Sequence, residues 1–346
     1  MSGRVPEVNV TFSEQWWHAR GGFDFSAEQW QDPILRTERD MAMRRWLYEQ
    51  FGDVGLGEPD PGPKPTIEAY GHRFVPALFG CEIRYARNQA PCEVPLHLSL
   101  EEMAHLRAPD LETSPVIRKA RRDGETLRAR YGTCDGAIMW GGPLNAGLSV
   151  VGQELLSALA LAPGAARHVL FTIAELLLRL HDEVCAAISP ELYDPAERKL
   201  ALGNCPVIMV SPETYRHQVL PADRWLRAHS TTFGMHHCAV ITKYLPAYQE
   251  LAPLNWVQPG WGSDLAAVRR TFPEATLSLL MECSAVRDMS YDDIDETVVS
   301  MLRHARPMDR TQDIFIADVS DDISDEKIRR LRTCHVRLKE KLLASA

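Results

Sequence analysis

The chain has 346 residues, 45% of them hydrophobic and 25% charged, with a formal net charge of -9. That length and apolar content suffice for a large buried core, and the acidic balance excludes a phosphate-binding surface, which needs a concentrated cationic stripe. No apolar stretch of signal-peptide or membrane-span length interrupts the sequence, so it predicts a cytoplasmic protein with neither a nucleic-acid nor a membrane partner.

In chain order, residues 1–100 read as an irregular extension that includes the first barrel elements. They hold a Trp-rich opening (Trp16, Trp17, Trp30), a helix over Pro33–Phe51 and a Gly/Pro-rich loop over 55–65. A strand-like pair follows over 74–82 and 92–97, and then a helix capped by Ser99, with Glu102 completing a capping box. The basic run Arg118-Lys119-Ala120-Arg121-Arg122 reads as the solvated face of a helix.

From Gly136 the texture changes. Apolar runs at 136–142, 200–205, 232–238, 254–258, 276–283 and 314–318 end in polar or glycine residues, and from the second onward each precedes a helix-length amphipathic stretch. A long helix over 166–189 carries the apolar face Leu170, Ile173, Leu177 and Leu180. A second, over 212–228, opens on the cap Ser211, while Ser263, Ser290 and Ser324 occupy further cap positions. The rhythm predicts an α/β fold, a (β/α)8 TIM barrel forming one domain over residues 1–346, with 101–346 as its main βα units. A doubly wound sheet is the alternative, but the glycine-rich segment 141–147 fits neither a dinucleotide fingerprint nor a P-loop.

In a closed barrel the carboxyl ends of the strands converge on one mouth. Read in order they carry Gly142, Asn204, Cys205, His236, Cys238, Gln258, Glu282, Cys283 and Asp318, a set rich in borderline metal ligands. His236 and Cys238 stand two apart on extended backbone, so their side chains share one side while His237 turns away. An imidazole and a thiolate suit zinc, which keeps a position open when it is catalytic. Cys283 is the third candidate and Glu282 its rival, because neighbours on a regular strand point in opposite directions; Cys205 and Asp318 are further positions. Asn204, Gln258 and Glu282 are the candidate catalytic polar groups, and Trp140, Trp256 and Trp261 could wall in a planar substrate. The remaining cysteines, Cys81, Cys92, Cys134, Cys185 and Cys334, read as buried structural thiols in a reducing compartment.

Several of these segments together match a known pattern. The stretch Gly203-Asn-Cys-Pro-Val-Ile-Met-Val-Ser-Pro-Glu-Thr-Tyr215, Pro221, Met235-His-His-Cys238, Asn255-Trp-Val-Gln-Pro-Gly260 and Asp264-Leu265 resembles the uroporphyrinogen-decarboxylase-like superfamily, which includes cobalamin-linked methyltransferases. The resemblance runs from about residue 33 to 331 and is most specific over 203–265. It implies a zinc held by His236 and Cys238, and methyl transfer between a small methylated substrate or thiol and cobalamin carried on a partner corrinoid protein. It is compatible with a homodimer. The decarboxylase's arginine-rich motif is missing, as are its paired aspartates, whose places are taken by Asn204 and Cys205. The third zinc cysteine of the methyltransferases has no counterpart in 315–322, and the glycine after their His-x-Cys element is Ala239 here. Cys283, Glu282 or Asp318 then replaces that ligand, or the site has degenerated. The alternatives are a metal-free decarboxylase using Arg84, Arg87 or Arg287, and a non-catalytic barrel scaffold.

Overall fold

Alternating apolar segments become strands in the computed structural model, which describes residues 5–138 and 141–343. Among these residues the strands are β1 (Glu7–Phe12), β2 (Glu82–Ala86), β3 (Gln89–Val94), β4 (Lys199–Gly203), β5 (Thr232–His236), β6 (Trp256–Gln258), β7 (Thr276–Leu280) and β8 (Thr311–Val319). The chain divides into two compact units: Met1–Phe23, Met43–Pro61 and Gly234–Ala346 form the first, and Asp24–Ala42 with Gly62–Phe233 the second.

The first unit is built on parallel strands in the order β1-β8-β7-β6-β5. Val8 pairs with Ile314, Leu279 with Ile314, Val257 with Leu277 and His236 with Gln258. Val8, Leu277, Leu279, Ile314 and Ile316 are fully buried, so the sheet interior is apolar apart from a few polar residues taken up below. Helices Leu265–Thr271 and Tyr291–His304 connect successive strands, and Asp325–Arg337 packs against β1. β1 itself lies in the segment that reads as irregular from sequence. Val8, Val10 and Phe12 do alternate, but the adjacent tryptophans mask the period. Those tryptophans form a cluster of their own: Trp16 stacks on Phe12 at 4.0 Å between centroids and meets Trp17 and Trp46 edge-on at 5.1 and 5.6 Å.

The second unit centres on the long helix Pro163–Arg179, continued by a π-helical stretch to Cys185, with Leu170, Ile173, Leu177 and Leu180 buried as their spacing requires. Of the stretch expected as a strand over 136–142, residues 139 and 140 lie outside the described residues; Gly141 makes an isolated parallel bridge to Gly203, and Asp135, just before the stretch, one to Thr66. Phe74–Leu78, read as strand-like, is a short helix with all five residues buried; a continuous apolar run has no period by which the two can be told apart. The basic run lies on Pro115–Tyr131, whose buried face is Val116, Ile117, Ala120, Asp123, Gly124 and Leu127, leaving Arg118, Arg121 and Arg122 in solvent. Ser211, Ser290 and Ser324 cap helices as expected. Ser263 does not: Asp264 accepts the amide of Ala267 in its place, and the Ser263 hydroxyl donates to the Gly260 carbonyl. No single helix among the described residues is long and apolar enough to cross a membrane.

Behind β4, buried Asn204 donates to Asp223 Oδ2 at 2.8 Å, and the Tyr215 hydroxyl donates to the same oxygen at 2.8 Å. Gly142 is required here, because a Cβ would meet Asn204 Oδ1 at 2.3 Å. Burial pushes the Asp223 carboxyl up to about 6, although both hydrogen bonds favour the carboxylate.

Two stability predictions follow from this packing. Trp16→Ala should lower the unfolding free energy by about 3–5 kcal/mol in denaturant titration, the range for emptying a large buried aromatic site; a loss under about 1 kcal/mol would mean the cluster relaxes around the gap. Between the ordinary carboxyl value of 3.8 and about 6 the folded chain binds the Asp223 proton more tightly than the unfolded chain does. This residue's contribution therefore falls as pH rises through that window. Asp223→Asn should gain stability relative to the parent protein between pH 4 and 6.5 in urea unfolding, whereas parallel pH profiles would contradict the assignment.

Candidate metal centre

One residue beyond the buried run Phe233-Gly234-Met235, β5 ends at His236, and two residues later Cys238 is exposed. His237, on the opposite side, is 1% exposed and packs beside Tyr244 and Tyr248, 6.0 and 6.2 Å away between centroids. Its neighbours at positions 236 and 238 come together: His236 Nε2 lies 3.0 Å from Cys238 Sγ. His236 is half-buried and Cys238 exposed, so the pair faces solvent from a firm base.

That base is built by the next strand. Gln258 is 8% exposed at the carboxyl end of β6, directly across from His236 in the ladder, and its Oε1 lies 2.5 Å from His236 Nδ1. Its Nε2 donates to the Ser278 hydroxyl on β7 at 2.9 Å, and that hydroxyl donates to Asp313 Oδ1 on β8 at 2.6 Å. Gly260 lets the two strand ends touch, since a Cβ there would meet the Ala239 carbonyl oxygen at 2.2 Å and that of Cys238 at 2.4 Å. Ser278 and Asp313 are absent from the strand-end reading because they lie inside their strands. The signal that could have found them is a single polar residue within an apolar run, in Leu277-Ser278-Leu279 and Asp313-Ile314-Phe315.

The other candidates fall as follows. Cys283 is not on a strand; it is the first residue of helix Cys283–Asp288, and its sulfur lies 3.5 Å from the Ser320 hydroxyl. Glu282 is exposed at the cap position of that helix, where it accepts from the Ser284 hydroxyl at 2.7 Å. Asp318 is exposed in the left-handed region, φ 53°, at the register shift between β1 and β8. Asn204 belongs to the buried Asp223 cluster, and Cys205 follows it, half-buried, at the head of a 3-10 turn. Trp256 opens β6, two residues before Gln258. Trp261 lines a cavity of about 310 Å³ with Asp264, Leu280, Met301 and His304, and neither His236 nor Cys238 reaches it. Trp140 lies outside the described residues.

All eight cysteines are free thiols. Burial raises Cys81 and Cys134 to about 11, and Cys185 and Cys334 to about 12, which makes them inert. Cys92, expected to be buried, is exposed on the two-stranded ribbon opposite Arg84. The arginines that could have served carboxylate substrates are taken by the chain's own acids: Arg84 by Glu82, Arg87 by Asp24, and Arg287 by Asp288 and Asp322.

A tetrahedral zinc holds an imidazole nitrogen at roughly 2.0 Å and a thiolate at roughly 2.3 Å, which puts the two donors about 3.5 Å apart. The observed 3.0 Å needs only a small opening of an exposed cysteine side chain, so the pair fits a zinc ion.

No protein-family model and no curated protein sequence matches the chain. Solved structures do. A methyltransferase from Methanosarcina mazei is similar over 98% of this chain and 95% of its own, with TM-score 0.64 and 13% identity. A B12-independent methionine synthase from Shewanella sp. W3-18-1, solved with selenomethionine, is similar over 99% of this chain and 100% of its own, with TM-score 0.51 and 11% identity. At such identities the likeness speaks for architecture alone: the chain shares with these two structures a mixed α/β fold with a largely parallel sheet.

Proposed function

We propose that this chain is a zinc-dependent methyltransferase that moves a methyl group between a small methylated substrate or thiol and the cobalt of a corrinoid carried on a separate protein. The observation that carries the reading is the His236–Cys238 pair, a nitrogen and a sulfur 3.0 Å apart at the open end of β5, with the imidazole braced from behind by Gln258. The fold shared with methyltransferase structures supports the same class of chemistry.

The pair supplies a nitrogen and a sulfur ligand, and Cys283, the third candidate of the sequence, opens helix Cys283–Asp288 with its sulfur 3.5 Å from the Ser320 hydroxyl. Three protein ligands leave a fourth position for a substrate sulfur or ether oxygen.

Zinc bound there supplies Lewis acidity, which lowers the pKa of a ligated thiol into the working range. The protein's part is to hold His236 with Nε2 forward, to present Cys238 at the surface beside it, and to back the site with buried Met235. In the transfer the substrate thiol gives up its proton, its sulfur forms the new bond to the methyl carbon, and the donor leaves with the electron pair of the broken bond. The second structural likeness, to a B12-independent enzyme, favours one variant of this reading, in which a thiol accepts the methyl group from a donor without cobalt.

Metal analysis and turnover test the proposal together. The purified protein should carry about one zinc per chain. His236→Ala and Cys238→Ser should each lose most of it and slow methyl transfer from a methylated corrinoid protein to a thiol by about a hundredfold or more. A metal-free preparation with undiminished transfer would refute the zinc role. Transfer that proceeds only with a cobalt-free methyl donor would replace the corrinoid partner with the second reading.

A further inference from the structure

The hydrogen bonds behind His236 extend much further than one supporting residue. Asp313 accepts from Ser278 on one oxygen, and on the other from Asn9 Nδ2 of β1 at 2.9 Å. Asn9 Oδ1 in turn accepts from Arg332 Nη1 at 2.8 Å, and the same guanidinium nitrogen donates to the Val8 carbonyl at 2.7 Å. One polar side chain from each of β1, β8, β7, β6 and β5 thus forms a line across five neighbouring strands, with a buried arginine at its far end.

The direction of every link in that line is settled by chemistry. Arginine has no acceptor, so the oxygen of Asn9 must face it and the amide nitrogen must face Asp313. A carboxylate only accepts, so the Ser278 hydroxyl spends its one proton on Asp313 and can only accept from Gln258. Gln258 therefore turns its nitrogen toward Ser278 and its oxygen toward His236. The imidazole must then carry its proton on Nδ1, which leaves the lone pair of Nε2 directed at Cys238.

We propose that Ser278 and Asp313 are positioning residues that fix the tautomer and ring orientation of His236 from two and three strands away. The assignment deepens the metal-centre reading and rests on it only for its purpose; the tautomer itself is a property of the metal-free chain. A neutral imidazole in solution populates both tautomers, and the wrong one would present an N–H where a ligand needs a lone pair. Side chains that orient metal-bound histidines typically change metal affinity by about 10–100-fold when removed.

The experiment uses the full-length, metal-free protein with ¹⁵N-labelled histidine. Long-range proton–nitrogen correlation spectra should show His236 protonated at Nδ1, Ser278→Ala should spread it over both tautomers, and Ser278→Thr, which keeps the hydroxyl, should restore it. Zinc titration should show dissociation constants about 10–100-fold higher for Ser278→Ala and close to the parent value for Ser278→Thr. If Ser278→Ala fails to fold by circular dichroism, Ser278→Cys, nearer in volume, takes its place and should show an intermediate tautomer mixture. An unchanged tautomer and zinc affinity in the folded variant overturns the positioning role while leaving the metal centre standing. A parent protein that binds no zinc, yet loses its Nδ1 proton preference in Ser278→Ala, supports positioning and overturns the metal centre.

Discussion

The bond from His236 Nδ1 to Gln258 Oε1 is the contact on which the rest of the site depends, and it exists because β5 and β6 pair in one register. A slip of one residue would turn every side chain of β5 to the other face, putting His237 where His236 now stands. The register is held by the burial of Phe233, Met235, Val257 and Leu277, so the apolar packing of the sheet and the polar chemistry at its edge are one problem with one solution. Gly260 completes the arrangement by allowing two backbones to approach more closely than any side chain would permit.

The line from Arg332 to Cys238 also accounts for polar residues that would otherwise burden the interior. Ser278 is 2% exposed and Asp313 4%, and each would be costly to bury without a partner. Joined in one direction, they satisfy one another and carry the fixed donor character of a buried guanidinium through to the His236 ring, whose Nε2 faces Cys238. The cysteines divide along the same boundary. Four are buried, with burial pushing their thiols up, and Cys238 is exposed beside an imidazole nitrogen.

Much of this was legible in the sequence. The alternation of apolar runs and amphipathic stretches revealed the strands from β4 onward, and the two-residue spacing of His236 and Cys238 placed them on one side. What escaped has definite physical causes. β1 was hidden by the aromatic residues beside it, and Phe74–Leu78 carried no period to separate helix from strand. Cys283 was assigned to a strand end because the apolar run of β7 continues through Met281, although the backbone turns there and a helix begins. The partners of Gln258 were invisible for another reason: Asn9, Ser278 and Asp313 are far apart in sequence, and only the strand order β1-β8-β7-β6 makes them neighbours.

The central claim is that His236 and Cys238 ligate the same ion, and X-ray absorption at the zinc edge of the loaded protein addresses it without reference to turnover. The account predicts a first shell containing sulfur at about 2.3 Å and imidazole nitrogen at about 2.0 Å, with sulfur lost from the shell in proportion when Cys238 is replaced by serine. A shell of oxygen and nitrogen alone, or a sulfur signal unchanged by that replacement, would contradict it.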